Sequence, residues 1–283
     1  MKFLFVGNRK FVLEEMINLN LDLVNVLVVE NSHLHTEINK LTNNYKLISN
    51  KNQLIKLIEK TNFDVLVANG CPFILPVKKL KEAKYVNIHP SYLPDLRGVD
   101  PVVGSILYQR DSGATCHIID EGIDTGNIIS RVKIPYSSDI DVALLYQLSF
   151  IAEKEVFYNA YKKGFKEFCK QENNIDNLIY YKRNKDDQTI LISDSPKQII
   201  NKTKAFGNIS QGVNIVCGGI CFKAHEAQVI ENSYLHNYAK NFKDNIVFMS
   251  FEESILFKRN DKIIRISNIK LDDKKIPTGA TLN

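Results

Sequence analysis

The chain has 283 residues, of which 44% are hydrophobic and 24% charged, with a net charge of +5. That composition excludes a disordered, collagen-like or disulfide-dense chain, and at about 100 to 200 residues per domain the length predicts one large domain and a smaller one. Residues 1–177 carry 21 Lys and Arg against 21 Asp and Glu, whereas residues 178–283 carry 16 against 11, so the basic excess is entirely C-terminal. Seven Arg beside thirty Lys supply few bidentate phosphate or base contacts, and the excess reads as a solvated face rather than a nucleic-acid footprint.

No apolar run approaches the ~18 to 20 residues that cross a bilayer, and Met1–Arg9 is too short for a signal-peptide core. A cytoplasmic protein without membrane association is expected. Five scattered cysteines in a chain of this size predict reduced thiols. Cys217-Gly-Gly-Ile-Cys221 has no second ligand pair nearby and reads as a tight turn, not a metal site.

Lys2–Val6 is a short apolar run ended by Gly7 and Asn8, then a helical pattern through Phe11, Leu13 and Met16: strand, turn, helix. Leu23–Val29 and Phe63–Val67 repeat the strand signal around a helix-like Asn52–Glu59. Such alternation predicts an α/β fold, a Rossmann-like, mostly parallel sheet with helices on both faces. Tyr85–Ile88, Gly113–Ile119 and Asn127–Ile134 extend the series to six strands. After Pro135 the period changes, and Val142, Leu145, Leu148, Ile151, Ala152, Val156 and Tyr158 share one face of a long helix over about 139–169. Polar Gln171–Asn177 reads as a linker. A helix over 196–204 follows, and beyond Gly212 short β-prone runs predict a small C-terminal β domain. The expected division is a catalytic domain over 1–177, linker and helix over 178–212, and a β domain over 213–283.

Ligands of open α/β sheets bind beyond the carboxyl ends of the strands, so catalytic residues should follow strands. There is neither a G-x-G-x-x-G after the first strand nor a P-loop lysine motif, which removes the sequence basis for a dinucleotide or NTPase site. Two other segments gather polar groups. Asn87-Ile-His89-Pro-Ser-Tyr-Leu-Pro-Asp-Leu-Arg-Gly98 leaves a strand with Asn87 and His89 two apart, hence on one face. Asp120-Glu-Gly-Ile-Asp124-Thr-Gly126 leaves another with three carboxylates in seven residues. If the loops meet, Asp124 reaches His89. An amide that donates to an oxyanion and an imidazole coupled to a carboxylate that takes a proton suit acyl transfer to an amine. With no Ser or Cys nucleophile elbow, direct attack by the amine fits better than a covalent intermediate.

Together these two segments resemble the signature motifs of the folate-dependent formyltransferases. The resemblance implies N10-formyltetrahydrofolate as cosubstrate, no metal, and catalytic roles for Asn87, His89 and Asp124. Asn69-Gly-Cys-Pro-Phe-Ile-Leu-Pro76 looks like the family's pterin-flanking loop, so Cys71, Pro72, Phe73, Ile74 and Leu75 would form one wall of the folate site and Glu121, Gly122, Ile123 and Asp124 the other. Tyr180–Ile190, the helix before Phe206 and the run after Gly219 resemble the linker and C-terminal domain of the methionyl-tRNA and amino-arabinose enzymes. Methionyl-tRNA formyltransferases carry a basic insertion after the second strand; here no Lys or Arg occurs between Glu30 and Lys40. A nucleotide-linked amino sugar, a dideoxy sugar on UDP or dTDP destined for a surface glycan such as lipopolysaccharide, is therefore the expected acceptor. Methionyl-tRNA is the alternative, and a silent folate or nucleotide sensor a third reading. The resemblance also implies a homodimer. Candidate acceptor-binding residues are Ser91, Tyr92, Arg97, Tyr108 and His117. Arg97 either reaches a diphosphate or pins its loop, Tyr92 and Tyr108 either stack or pack, and His117 faces the site or the core.

Overall fold

The computed structural model describes residues 1–172, 177–271 and 275–282. Of the polar stretch read as a linker, residues 173–176 lie outside them, as do 272–274 and 283 of the expected β domain. The chain forms two compact units: Met1–Pro101 with Asp111–Pro135 and Gln147–Tyr181, and Val102–Arg110 with Tyr136–Tyr146 and Lys182–Asn283.

Successive elements are β1 (Lys2–Gly7), α1 (Phe11–Asn18), β2 (Asp22–Val29), α2 (His33–Glu37), β3 (Tyr45–Ile48), α3 (Lys51–Lys60), β4 (Val65–Asn69), β5 (Lys84–His89), β6 (Arg97–Gly98), α4 (Pro101–Tyr108), β7 (Ser112–Ile118), β8 (Ile128–Ile134), α5 (Val142–Lys162) and β9 (Tyr180–Tyr181). The first unit is built on a seven-stranded sheet ordered β3-β2-β1-β4-β5-β7-β8. Its first five strands run parallel, β7 pairs antiparallel with β5, and β8 pairs antiparallel with β7 and so runs with the first five. Both faces of β1 are apolar because both are covered. Phe3 and Phe5 pack with Val12, Leu13 and Met16 of α1 and Val156 and Phe157 of α5, while Leu4 and Val6 pack with Leu54 and Ile58 of α3. Asn50 caps α3, its side chain accepting from the Gln53 N–H.

The sheet has one strand more than the six expected. Tyr45–Ile48 pairs with β2, but four residues containing Lys46 give neither a run nor a full alternation to read. The long helix is shorter than expected. It ends at Lys162, where Gly164 and Phe165 turn the chain in left-handed conformation (φ 61° and 54°). Phe168 and Cys169 then bond to Ile128 at the start of β8.

In the second unit come α6 (Pro196–Phe206), β10 (Val213–Cys217), β11 (Ile220–Ala224), β12 (Glu226–Ile230), α7 (Ser233–Ala239), β13 (Val247–Phe251), β14 (Ser254–Arg259) and β15 (Lys262–Ser267). A capping box between Ser195 and Gln198 starts α6, with Pro196 in its first turn. The four strands β12-β15-β14-β13 form an antiparallel sheet, beside the β10–β11 hairpin. Gly218 and Gly219 make the two-residue turn of that hairpin at φ 57° and 78°, where side chains are strained. Cys217 is thereby buried and Cys221 exposed on the facing strand, and all five cysteines are free. Among the described residues no helix is long and apolar enough to cross a membrane.

Candidate active site

Strands β1, β4, β5 and β7 deliver their ends to one cleft of about 440 Å³, a size suited to a drug-sized ligand. Asn8 and Arg9 leave β1, Gly70–Leu75 leave β4, and Asn87–Pro90 come from β5. His117 and Ile119–Asp120 follow from β7, with Gly122–Asp124 beyond, and Gly98, Val99 and Tyr180 complete the lining.

The two motif loops do meet. The antiparallel β5–β7 register sets Asn87 directly opposite His117, and Asn87 Nδ2 lies 3.2 Å from His117 Nε2. Asn87 Nδ2 also donates to Asp124 Oδ1 at 3.3 Å. Asp124 Oδ2 accepts from the Gly98 N–H at 3.1 Å and faces His89 Nδ1 at 3.5 Å. Gly98 has φ 104°, outside the reach of most side chains.

The main chain fixes the state of both imidazoles. His117 Nδ1 sits 2.8 Å from the Ile118 carbonyl, which can only accept, so Nδ1 carries the proton and Nε2 accepts from Asn87. His89 Nε2 sits 3.0 Å from the Leu96 carbonyl and donates to it. In the neutral ring this leaves the Nδ1 lone pair beside Asp124, at a separation longer than a good hydrogen bond. Burial pushes the His89 pKa down, against the opposing pull of Asp124 and the Leu96 carbonyl. Burial works against ionising Asp124, yet His89 and His117, protonated in the acid range where the carboxyl titrates, and the Gly98 N–H outweigh it and hold its carboxyl well below the usual carboxylate range. At neutral pH the group is a carboxylate beside a neutral imidazole.

Cys71, Pro72, Phe73, Ile74 and Leu75 line one side of the cleft and Gly122, Ile123 and Asp124 the other. Ile74 and Ile123, 59% and 43% exposed, offer bare apolar surface there, while burial raises the Cys71 thiol to about 11 and keeps it unreactive. The expected contact at Glu121 is through its backbone; its side chain is exposed, outside the lining, and pairs with Lys78 at 2.7 Å.

Of the expected acceptor contacts, only His117 lines the cleft. Ser91 is fully buried and its hydroxyl donates to the Asp95 carbonyl. Tyr92 packs under the Arg131 guanidinium at 4.4 Å. Tyr108 lies on α4, outside the lining, and Arg97 donates to Gln171 Oε1 at 2.8 Å. Ser91, Tyr92 and Arg97 are held by their own neighbours, and Tyr108 is 51% exposed.

Sequence reading missed Asn8, Arg9, Val99, Gln171 and Tyr180. The first two follow a strand, and the rule that led to Asn87 applied equally to them. Arg9 pairs with Glu153, which α5 buries completely. Burial raises the Glu153 pKa while Arg9 opposes the rise. Tyr180 reaches the cleft because β9 pairs with β6, a two-residue ladder with no pattern to read.

Among the described residues no group of His, Cys, Asp and Glu could hold a metal ion. Amide, imidazole and carboxylate thus meet in one partly apolar cleft. The formyl transferase family model matches residues 23–161. It is 25% identical to a methionyl-tRNA formyltransferase of Caldicellulosiruptor saccharolyticus over 78% of this chain and 70% of that one. Matches to several other methionyl-tRNA formyltransferases span about half of those proteins. In three dimensions the chain is similar to an N-formyltransferase from Helicobacter canadensis solved with folinic acid and dTDP-3-aminofucose, with TM-score 0.71, 22% identity and coverage of 95% of this chain and all of that one. It is similar also to WlaRD, a sugar 3N-formyl transferase solved with dTDP and 5-N-formyl-THF, with TM-score 0.70, 23% identity and coverage of 96% and 99%. At these identities the likeness to solved structures establishes the fold.

Proposed function

We propose that the protein transfers a formyl group from N10-formyltetrahydrofolate to the amine of a nucleotide-linked amino sugar. The observation that carries this reading is the convergence of Asn87, His89 and Asp124 on one cleft with apolar walls at Phe73–Leu75 and Ile123. Those walls, with the backbone of 120–124 between, suit a flat, hydrogen-bonding ring system such as a pterin. When bound, the folate supplies an activated formyl carbon and a leaving nitrogen.

The chain's own groups supply the rest. Both amide hydrogens of Asn87 are engaged, so to donate to a formyl oxygen it releases one, and the 3.3 Å bond to Asp124 is the longer. His117 keeps the other and holds the amide plane. As the acceptor nitrogen bonds to the formyl carbon it sheds a proton, and the Nδ1 lone pair of His89 takes it. The imidazolium so formed is paired by Asp124 Oδ2, and the proton then passes to the departing folate nitrogen. Atoms balance as amine plus formyl donor giving formamide plus tetrahydrofolate.

Support for a sugar acceptor is the lack of Lys and Arg between Glu30 and Lys40, a segment that holds the five-residue α2 and the start of a 3-10 turn. Similarity to sugar N-formyltransferases across nearly the whole chain points the same way. The same reading carries a cytoplasmic homodimer and a product used in surface glycans. The test is incubation with the formyl donor and a panel of UDP-, dTDP- and GDP-amino sugars beside charged initiator tRNA, with products weighed by mass spectrometry. Formylated sugar supports the proposal, and formylated methionyl-tRNA alone overturns it. The tRNA reading is favoured by the sequence relatives. It requires activity that falls steeply with salt, as phosphate contacts do.

A further inference from the structure

We propose that Gln171, in the segment after α5, is a positioning residue that clamps the two catalytic loops in register; the inference rests on the formyl-transfer reading of this cleft. Its amide spends every strong contact on those loops. Nε2 donates to the carbonyl of Asp124 at 3.0 Å and to that of Gly126 at 2.7 Å. Oε1 accepts from the Arg97 guanidinium at 2.8 Å, so one side chain joins the loop after β5 to the loop after β7. Gln171 is itself buried, 9% exposed, which removes water as a competing partner.

Within the loop the Gly122 N–H and the Thr125 hydroxyl both donate to Asp120 Oδ1, at 3.1 and 2.7 Å, while Asp124 itself is held from outside. Asp124 has φ 56°, a left-handed conformation that costs free energy in a residue with a Cβ and persists only where neighbours impose it. Gly126 passes so close to the end of β7 that a Cβ would collide with the Ile118 carbonyl oxygen. The backbone of 124–126 is thus fixed on one side by β7 and on the other by the Gln171 amide. The Asp124 side chain can then address Gly98, Asn87 and His89 together.

Gln171 is delivered by chain geometry. Cys169 bonds in both directions with Ile128, the residue that opens β8, which brings position 171 beside the loop leaving β7. Further on, the Ile179 N–H donates to Asp95 Oδ1 at 2.8 Å, and β9 pairs with β6. Ile179 and β9 therefore hold the first loop at a second place. Arg97 acquires a definite part: its guanidinium is the handle by which Gln171 holds that loop.

Two near-isosteric variants test the assignment. Gln171→Met keeps length and bulk and removes all three hydrogen bonds, and Gln171→Glu sets a carboxylate against two carbonyl oxygens. Displacing a reacting group by about 1 Å costs up to ~10²-fold in rate, so kcat should fall about tenfold or more in both while KM for donor and acceptor changes less than about threefold. The titration of His89, followed by histidine-selective NMR, should move as the Asp124 carboxylate shifts, with its other neighbours His117, Arg9 and the Leu96 carbonyl unchanged. A lower Tm with unaltered kcat and unaltered His89 titration would overturn the proposal and leave Gln171 a packing residue. Should the wild type formylate none of the offered amines, the acceptor reading fails by itself, and the NMR titration still decides the role of Gln171.

Discussion

Asn87 and His117 face each other across the antiparallel β5–β7 pair, and the amide of one donates to the ring of the other at 3.2 Å. In the proposed mechanism the imidazole is an acceptor that orients the oxyanion donor. Replacing His117 by Phe keeps the bulk and removes the acceptor. The loss of one hydrogen bond of about 1 kcal/mol corresponds to a roughly fivefold drop in kcat, to be read from steady-state kinetics with little change in KM.

Asn87→Ala and Asp124→Asn remove the oxyanion donor and the partner of the imidazolium. Each should lower kcat by at least ~10²-fold. Near-normal turnover in either variant would take that residue out of the mechanism.

Burial holds the His89 pKa down, so the base is already neutral near pH 7 and the acceptor must be an unprotonated amine. The rate should rise from about pH 6 and level off on the basic side of neutral. A steady fall from pH 6 to 9 would contradict the assignment. For Asp124 the folded pKa lies below the unfolded value, so its contribution to stability is present above about pH 4 and fades as pH falls through the folded pKa. The stability gap between wild type and Asp124→Asn, measured by denaturant titration, should therefore narrow below about pH 4.

Arg9 and Glu153 form an ion pair whose carboxylate is entirely buried. Arg9→Met strands that carboxylate, at a cost of about 3 kcal/mol at neutral pH. Burial raises the Glu153 pKa and Arg9 alone among the charges opposes it, so the variant binds a proton more readily when folded than unfolded. Its stability should fall as pH rises from 5 to 8, more steeply than that of the wild type. Parallel slopes in thermal melts would contradict this.

Ile74 and Ile123 present apolar area on the two sides of the cleft. Ile123→Asp should raise KM for the formyl donor about tenfold, the equivalent of some 1.4 kcal/mol, and leave KM for the amine nearly unchanged.

The sheet was legible because period and burial coincide: β1 and β4 are apolar on both faces and read as apolar runs, as does β2 but for Asn25. Strand β3 and the β6–β9 ladder escaped because they are too short for any period to develop. The convergence of Asn87, His89 and Asp124 could be anticipated since strand ends and loop composition announce them. Gln171 could not, because a glutamine in a polar stretch looks the same whether solvated or buried, and only the path of the chain past Ile128 brings it inside. Ser91 and Tyr92 illustrate the reverse: they sit in the right loop, but packing against Asp95 and Arg131 decides where they point.

The ring of His89 is tethered through Nε2 to the oxygen of a peptide unit at Leu96. Side-chain replacement has no means of deleting that atom. Divergence among descendants of this chain can retune the proton-accepting nitrogen through what lies near Nδ1, or by sliding the Leu96 turn bodily, while the tautomer itself is inherited with the backbone.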